Sequence, residues 1–242
     1  MTREWFGEWF NSPYYHILYK HRDFEEARIF IDNLNDLFGF SADQKALDLA
    51  CGKGRHAIYL NKKGLNVVGV DLSPENIREA KKFENEKLQF FVHDMREVFD
   101  IQAFDYVLNL FTSFGYFNTE AENEKAINAT ALSLKKGGFF IIDFLNPTLV
   151  INNMVPCEEK TIDGIHFKIS RNFKNGYILK DIEFEDGENA YRFQERVQAI
   201  RKNDFLRYFK GAGLALEGIY GDYKLNPFDE GTSNRMIFIL RK

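Results

Sequence analysis

Cysteine occurs only twice in 242 residues, at Cys51 and Cys157. Two thiols so far apart exclude the dense disulfide framework of a small secreted domain and lack the paired spacing of a metal cluster, so free thiols and no structural metal are expected. Proline (5) and glycine (17) are also scarce, which excludes fibrous and low-complexity classes. No concentrated Lys/Arg run occurs, and 32 basic against 36 acidic side chains leave a formal charge of −4; this argues against a surface that tracks nucleic-acid phosphates. The longest apolar run, GGFFIIDFL at 137–145, is far short of a bilayer span, and the amino end MTREWFGEWF lacks the layout of a signal peptide. The expectation is a soluble cytoplasmic protein with neither membrane nor nucleic acid as partner. Aromatic residues, by contrast, are plentiful: 25 Phe, 11 Tyr and 2 Trp supply the area for a ring-rich core. The length fits one large domain, or one domain plus an insert.

Hydrophobic periodicity orders the chain. Residues 23–38 place Ala27, Phe30, Ile31, Leu34, Leu37 and Phe38 on one helical face, with Asp23 and Glu26 at capping-box spacing and Gly39 behind. Strand and helix then alternate. Strand 45–51 precedes a helix at 55–63 stopped by Gly64, and strand 66–72 precedes a helix entered through Ser73 and Pro74. Strands at 88–94 and 104–111, a helix opened by Thr119 and Glu122, and a strand at 137–145 continue the pattern. Near-continuous apolar strands separated by helices imply an α/β fold with a mostly parallel sheet covered on both faces.

After Pro147 the period drops to two. Ile165, Phe167, Ile169 and Phe173, then Ile178, Ile182 and Phe184, then Tyr191, Phe193, Val197 and Ala199 alternate between turns at Asn175–Gly176 and Asp186–Gly187. This predicts a three-stranded antiparallel insert whose apolar face packs against the main domain and helps wall a substrate site. A short helix near 204–210 and strands at 214–220 and 235–242 complete the chain.

The loop after the first strand reads CGKGRHA, so Gly52, Gly54 and Ala57 satisfy the G-x-G-x-x-G/A form that opens a helix in nucleotide-binding βαβ units. Asp71 ends the second strand 19 residues beyond Gly52, where a carboxylate accepts hydrogen bonds from a ribose diol. These features alone suit a dinucleotide or another adenosine-bearing ligand. Charge separates the two: Asp48, Asp71 and Asp94 gather at one sheet edge, which repels a pyrophosphate and favours S-adenosylmethionine, a phosphate-free cation.

The segments ALDLACGKGRHAIYLNKKG (46–64) and VVGVDLSPENIREAKK (67–82) resemble the first motifs of class I S-adenosylmethionine-dependent methyltransferases. The likeness continues through VHDMRE (92–97), NLFTSFGYF (109–117), LKKGGFFIIDFLN (134–146) and the ending from Tyr220 to Lys242. It implies a Rossmann-like seven-stranded methyltransferase sheet whose last strand is antiparallel, with an inserted antiparallel β-sheet similar to small-molecule enzymes such as glycine and amino-sugar N-methyltransferases. The divisions expected are a helical cover at 1–40, a methyltransferase domain at 41–156 and 201–242, and the insert at 157–200. By motif, the resemblance implies that Asp48, Ala50, Gly52 and Gly54 border the methionine part of the cofactor, Asp71 and Leu72 the ribose, and Asp94 and Met95 the adenine. Asn109, Leu110 and Phe111 would lie beside the methyl group, and Tyr15, Tyr19 and Arg22 in a segment folded over the cofactor. Asn109 is followed by Leu110 and Phe111, a departure from the Asn/Asp-Pro-Pro-aromatic signature of nucleobase-amine methyltransferases.

Methyl transfer from a sulfonium requires mainly alignment and exclusion of water, so no metal is expected. Tyr116, after the fourth strand, and Asp222, in YGDY, are the candidates for handling a proton. The expected partner is a small-molecule acceptor. The rival readings are a nicotinamide-dependent oxidoreductase and a non-catalytic, cofactor-binding regulatory module.

Overall fold

The structure, a computed structural model, describes residues 6–20 and 24–242; Arg22 and Asp23 therefore lie outside the described residues. Three helices lead: α1 (Phe6–Phe10), α2 (Pro13–Leu18) and α3 (Phe24–Phe38). An alternating stretch follows: β1 (Lys45–Leu49), α4 (Arg55–Lys62), β2 (Asn66–Asp71), α5 (Pro74–Ala80), β3 (Leu88–Val92), β4 (Phe104–Asn109), α6 (Glu120–Ser133) and β5 (Leu134–Leu145). After α7 (Pro147–Asn152) come β6 (Cys157–Ile162), β7 (Ile165–Lys174), β8 (Tyr177–Asp186) and β9 (Asn189–Gln198), then α8 (Lys202–Gly211), β10 (Ala215–Tyr220) and β11 (Arg235–Arg241).

Seven strands form one sheet in the order β10-β11-β5-β4-β1-β2-β3. Strand β1 runs parallel to β2 and β4, and β11 slots between β5 and β10 antiparallel to both. The expected seven-stranded sheet with its antiparallel last strand is therefore present. Its central strands are buried on both faces, and alternate residues feed two cores. Leu47, Leu49, Val107, Phe140, Ile142 and Phe238 pack on one side with α6 and α8. Ala46, Val67, Leu108, Ile141, Ile237 and Ile239 pack on the other with α3, α4 and α5. Phe30, Ile31 and Leu34 of α3 are fully buried in that second core, the stripe that the helical spacing required.

Local signals acted as the residues dictate. Ser73 caps α5 by accepting from the Asn76 N–H at 3.1 Å, with Pro74 as the first helical residue. Thr119 and Glu122 form a complete capping box at α6. Strand β4, expected to reach Phe111, stops at Asn109 because Phe111 and Thr112 turn into the left-handed region at φ +61° and +57°.

Two expectations about the insert are corrected. It has four strands in the order β6-β7-β8-β9, not three. The extra strand β6 is polar, with Glu158 and Lys160 at alternate positions where an apolar pattern was sought, and it joins β7 through Asp163–Gly164 at φ +49° and +84°. The insert's apolar face is divided, and only part of it meets the main domain: Phe167, Ile169, Ile182 and Phe184 cluster with Trp9 and Leu18 of α1 and α2, while Val197 belongs to the main core that also holds Phe114 and Phe117. Ring pairs Trp9–Phe193 at 4.7 Å and Tyr14–Phe184 at 4.6 Å tie the two together.

Candidate functional site

The strand order reverses between β1 and β4, and a cavity of about 560 Å³ opens there at the carboxyl ends of the parallel strands. That is the place where doubly wound sheets receive ligands. Ala50, Gly52, Asp71, Leu72, Asp94, Met95, Leu110 and Phe111 line it from the sheet, and Tyr15, Tyr19 and Tyr116 from above. The glycines of the loop divide their work. A Cβ at Gly52 would meet nothing within 4 Å, leaving its backbone open to a ligand. A Cβ at Gly54 would fall 2.7 Å from the Phe90 ring, so this glycine serves helix–strand packing and does not face the cavity.

Asp71 accepts hydrogen bonds from the Gly52 N–H at 2.9 Å and the Ser73 N–H at 2.8 Å. Burial pushes its carboxyl above the ordinary range, and these two N–H donors oppose that rise. Asp94 is gripped by Arg96, whose Nε lies 3.0 Å and Nη2 2.6 Å from its carboxylate. Burial alone would raise Asp94, but Arg96 outweighs it and holds the carboxyl below its usual value. Arg96 also reaches Glu122 at 2.7 Å, so the capping residue of α6 helps fix the cavity floor.

Asp48 and Asn109 lie behind the lining, each about 1% exposed. Asp48 Oδ2 and Asn109 Oδ1 have no hydrogen-bond partner, and burial pushes the Asp48 carboxyl up to about 7. The structure thus brings two of the three expected acids to the cavity and sets the third beneath it.

His56, which from sequence reads as a packing histidine, also lines the cavity, as do Asn76 and Arg96. His56 is buried, its Nε2 lacks a partner, and burial together with Arg55 keeps its imidazole neutral. The position after the glycine loop was its only signal. Asn76, at the start of α5, and Arg96, two residues past Asp94, carried none. Among the described residues no group of three or more His, Cys, Asp and Glu is disposed to hold a metal ion, and no helix is long and apolar enough to cross a membrane.

A second cavity, about 630 Å³, lies between the insert, α1 and α2, and the loop after β10. It shares Phe10, Tyr15, Tyr19, Phe111, Thr112 and Tyr116 with the first. Asp222 belongs to this second space. Its carboxylate accepts from the Lys224 N–H at 2.9 Å and from Asn226 Nδ2 at 2.8 Å; burial is outweighed by these donors, and the carboxyl sits below its ordinary range. The insert contributes Glu158, Lys160, Arg171, Lys180 and Glu195 to its wall.

An open Gly52 backbone, an acid on β2 and tyrosine rings overhead fit a nucleoside that carries a positive charge. Residues 46–138 match a family model described as a methyltransferase domain. The Bacillus subtilis protein YqeM, which carries the name of a methyltransferase, is 35% identical over 211 residues, covering 82% of this chain and 84% of that protein. The dTDP-3-amino-3,4,6-trideoxy-alpha-D-glucopyranose N,N-dimethyltransferase of Streptomyces venezuelae is 24% identical over 201 residues, or 80% of this chain and 81% of that one. The crystal structure of an S-adenosylmethionine-dependent methyltransferase from Clostridium acetobutylicum has the same fold, with a TM-score of 0.78, 24% identity and coverage of 94% and 95%. With the fold, the matched domain and a relative aligned over four fifths of both chains in agreement, the chain belongs to the S-adenosylmethionine-dependent methyltransferases.

Proposed function

We propose that this enzyme methylates an N or O atom of a small, polar molecule held in the second cavity. The observation that carries the reading is the junction of the two cavities at Phe111, Thr112 and Tyr116, beneath a shared roof of Phe10, Tyr15 and Tyr19. When bound, S-adenosylmethionine supplies an electrophilic methyl group on a sulfonium. The chain's own task is to hold two reactants in line and keep water from them. Asp71 is placed to accept from ribose hydroxyls, Gly52 to let the ligand approach the backbone, and Asp94 with Met95 to border the base. Tyr15, Tyr19 and Tyr116 present rings toward a cationic centre.

The second cavity suits a polar acceptor, since acids and bases of the insert, Glu158, Lys160, Arg171, Lys180 and Glu195, border it. The amino-sugar dimethyltransferase among the relatives supports this acceptor class. Tyr116 borders both spaces, and its hydroxyl is the proposed hydrogen-bond partner that orients the nucleophile and relays its proton; Asp222, ionised within its own turn, is the second candidate for receiving that proton. Family membership removes the nicotinamide-dependent reading. Turnover across a panel of small amines, carboxylic acids and phenols tests the proposal. Methylation of at least one, reduced at least tenfold in Tyr116→Phe, is the expected result, and no turnover on any small molecule alongside efficient methylation of protein or RNA would overturn it.

A further inference from the structure

Phe111 and Thr112 are consecutive non-glycine residues at φ +61° and +57°. A left-handed threonine is strained by its branched Cβ, and such conformations persist where the surroundings over-determine them. Here the surroundings include an ion pair between the buried Asp143 and the partly exposed Arg235. Asp143 of β5 is fully buried, and its Oδ2 accepts the Phe111 N–H at 2.8 Å and the Tyr223 O–H at 3.1 Å. Its main-chain oxygen accepts the Thr112 N–H at 3.0 Å. Arg235 of β11 donates from Nε to Asp143 Oδ1 at 2.7 Å and from Nη2 to Thr112 Oγ1 at 2.8 Å. The Tyr223 ring stacks on Phe111 at 5.3 Å and 17°.

We infer that Asp143, acting with Arg235, is a positioning residue: it clamps the strained Phe111–Thr112 turn that forms the shared wall between the cofactor cavity and the second cavity. Asp143 lines neither space, whereas Phe111 and Thr112 line both. Its effect is therefore exerted through the turn. A carboxylate is needed because three donors, an amide N–H, a phenol and a guanidinium, converge on its two oxygens; an asparagine turns one of those oxygens into a donor facing other donors. The antiparallel insertion of β11 beside β5 is what brings Arg235 within reach, so the clamp is a product of the strand order.

The clamp acts on the family's cofactor site and does not depend on the acceptor proposed above, so S-adenosylhomocysteine serves as the probe. Calorimetry and thermal melts are run on the wild type, Asp143→Asn, Thr112→Gly, and the double variant. Asp143→Asn is expected to bind about tenfold more weakly at a temperature where it is folded. In the double variant, Thr112→Gly is expected to restore most of the affinity lost by Asp143→Asn, because glycine takes a left-handed φ without strain. Arg235→Lys supplies a milder version if Asp143→Asn does not fold: the ammonium keeps the charge but does not reproduce the fork reaching both Asp143 and Thr112, and Thr112→Gly should again recover binding. A role confined to bulk stability predicts lower melting temperatures with unchanged affinity. That result, or a glycine variant that recovers nothing, overturns the inference.

Discussion

The carboxylate of Asp71 already receives the N–H groups of Gly52 and Ser73, so its removal disorders the loop as well as the ribose contact. Asp71→Ala is expected to weaken S-adenosylhomocysteine binding by about 1.5–3 kcal/mol, on the order of ten- to a hundredfold. Unchanged affinity by calorimetry in a folded variant contradicts the assignment. Asp48 yields a prediction of stability, since burial raises its carboxyl from the ordinary 3.8 to about 7 in the folded chain. Below about pH 4 both states are protonated and the group is neutral in effect. As pH climbs toward 7 the unfolded chain releases the proton first, so stability falls, and above 7 the penalty levels off at a few kcal/mol. Asp48→Asn should therefore be more stable than wild type at pH 8, with the gap closing toward pH 4 in denaturant titrations. A gap independent of pH would count against a buried, neutralised Asp48. At this scale the sequence displayed Gly52, Asp71 and Asp94 through their fixed places around a strand–loop–helix unit. It carried no sign of Asn76, and it assigned Gly54 and Asn109 to the ligand, where the structure sets Gly54 against the Phe90 ring and Asn109 behind the cavity lining.

Among the elements, the insert and the amino-terminal helices depend on each other. Glu195 of β9 accepts the Trp9 Nε1–H at 2.7 Å and the Tyr19 O–H at 2.6 Å, joining α1 and the residue that caps α2 to the insert sheet. No insert residue lines the cofactor cavity, yet α1 and α2 help to roof it through Phe10 and Tyr15. Disturbing the insert is therefore expected to reach the cofactor indirectly. Glu195→Ala leaves the buried Trp9 N–H without its acceptor, a loss of about 1–3 kcal/mol in local stability. Amide exchange over residues 6–20 should accelerate on the order of tenfold or more, with the seven-stranded sheet unaffected. Unchanged exchange in that segment would disprove the coupling. The period-two pattern displayed β7, β8 and β9 because their inward positions are apolar. It missed β6 because Glu158 and Lys160 occupy the corresponding positions, although the Asp163–Gly164 pair marked its turn. What covers the apolar face was also hidden: the helices that pack on it are 5 and 6 residues long, too short for periodicity to reveal an amphipathic stripe.

For the whole molecule, the parallel core places one cavity at its topological switch, and three separate segments enclose a second cavity beside it. A mostly parallel sheet was legible from the apolar runs, and its seven strands with an antiparallel last one from the family resemblance. The second cavity was not, because it arises from contacts among the amino end, the insert and the loop after β10, which are far apart in sequence. On the function proposed above, this is the space that receives the small-molecule acceptor. The most direct test incubates the enzyme and methyl-labelled S-adenosylmethionine with a cell extract, then separates low-molecular-weight compounds, protein and RNA. Label is expected in the low-molecular-weight fraction, and less of it when Asp71→Ala replaces the wild type. Label confined to protein or RNA would contradict that expectation.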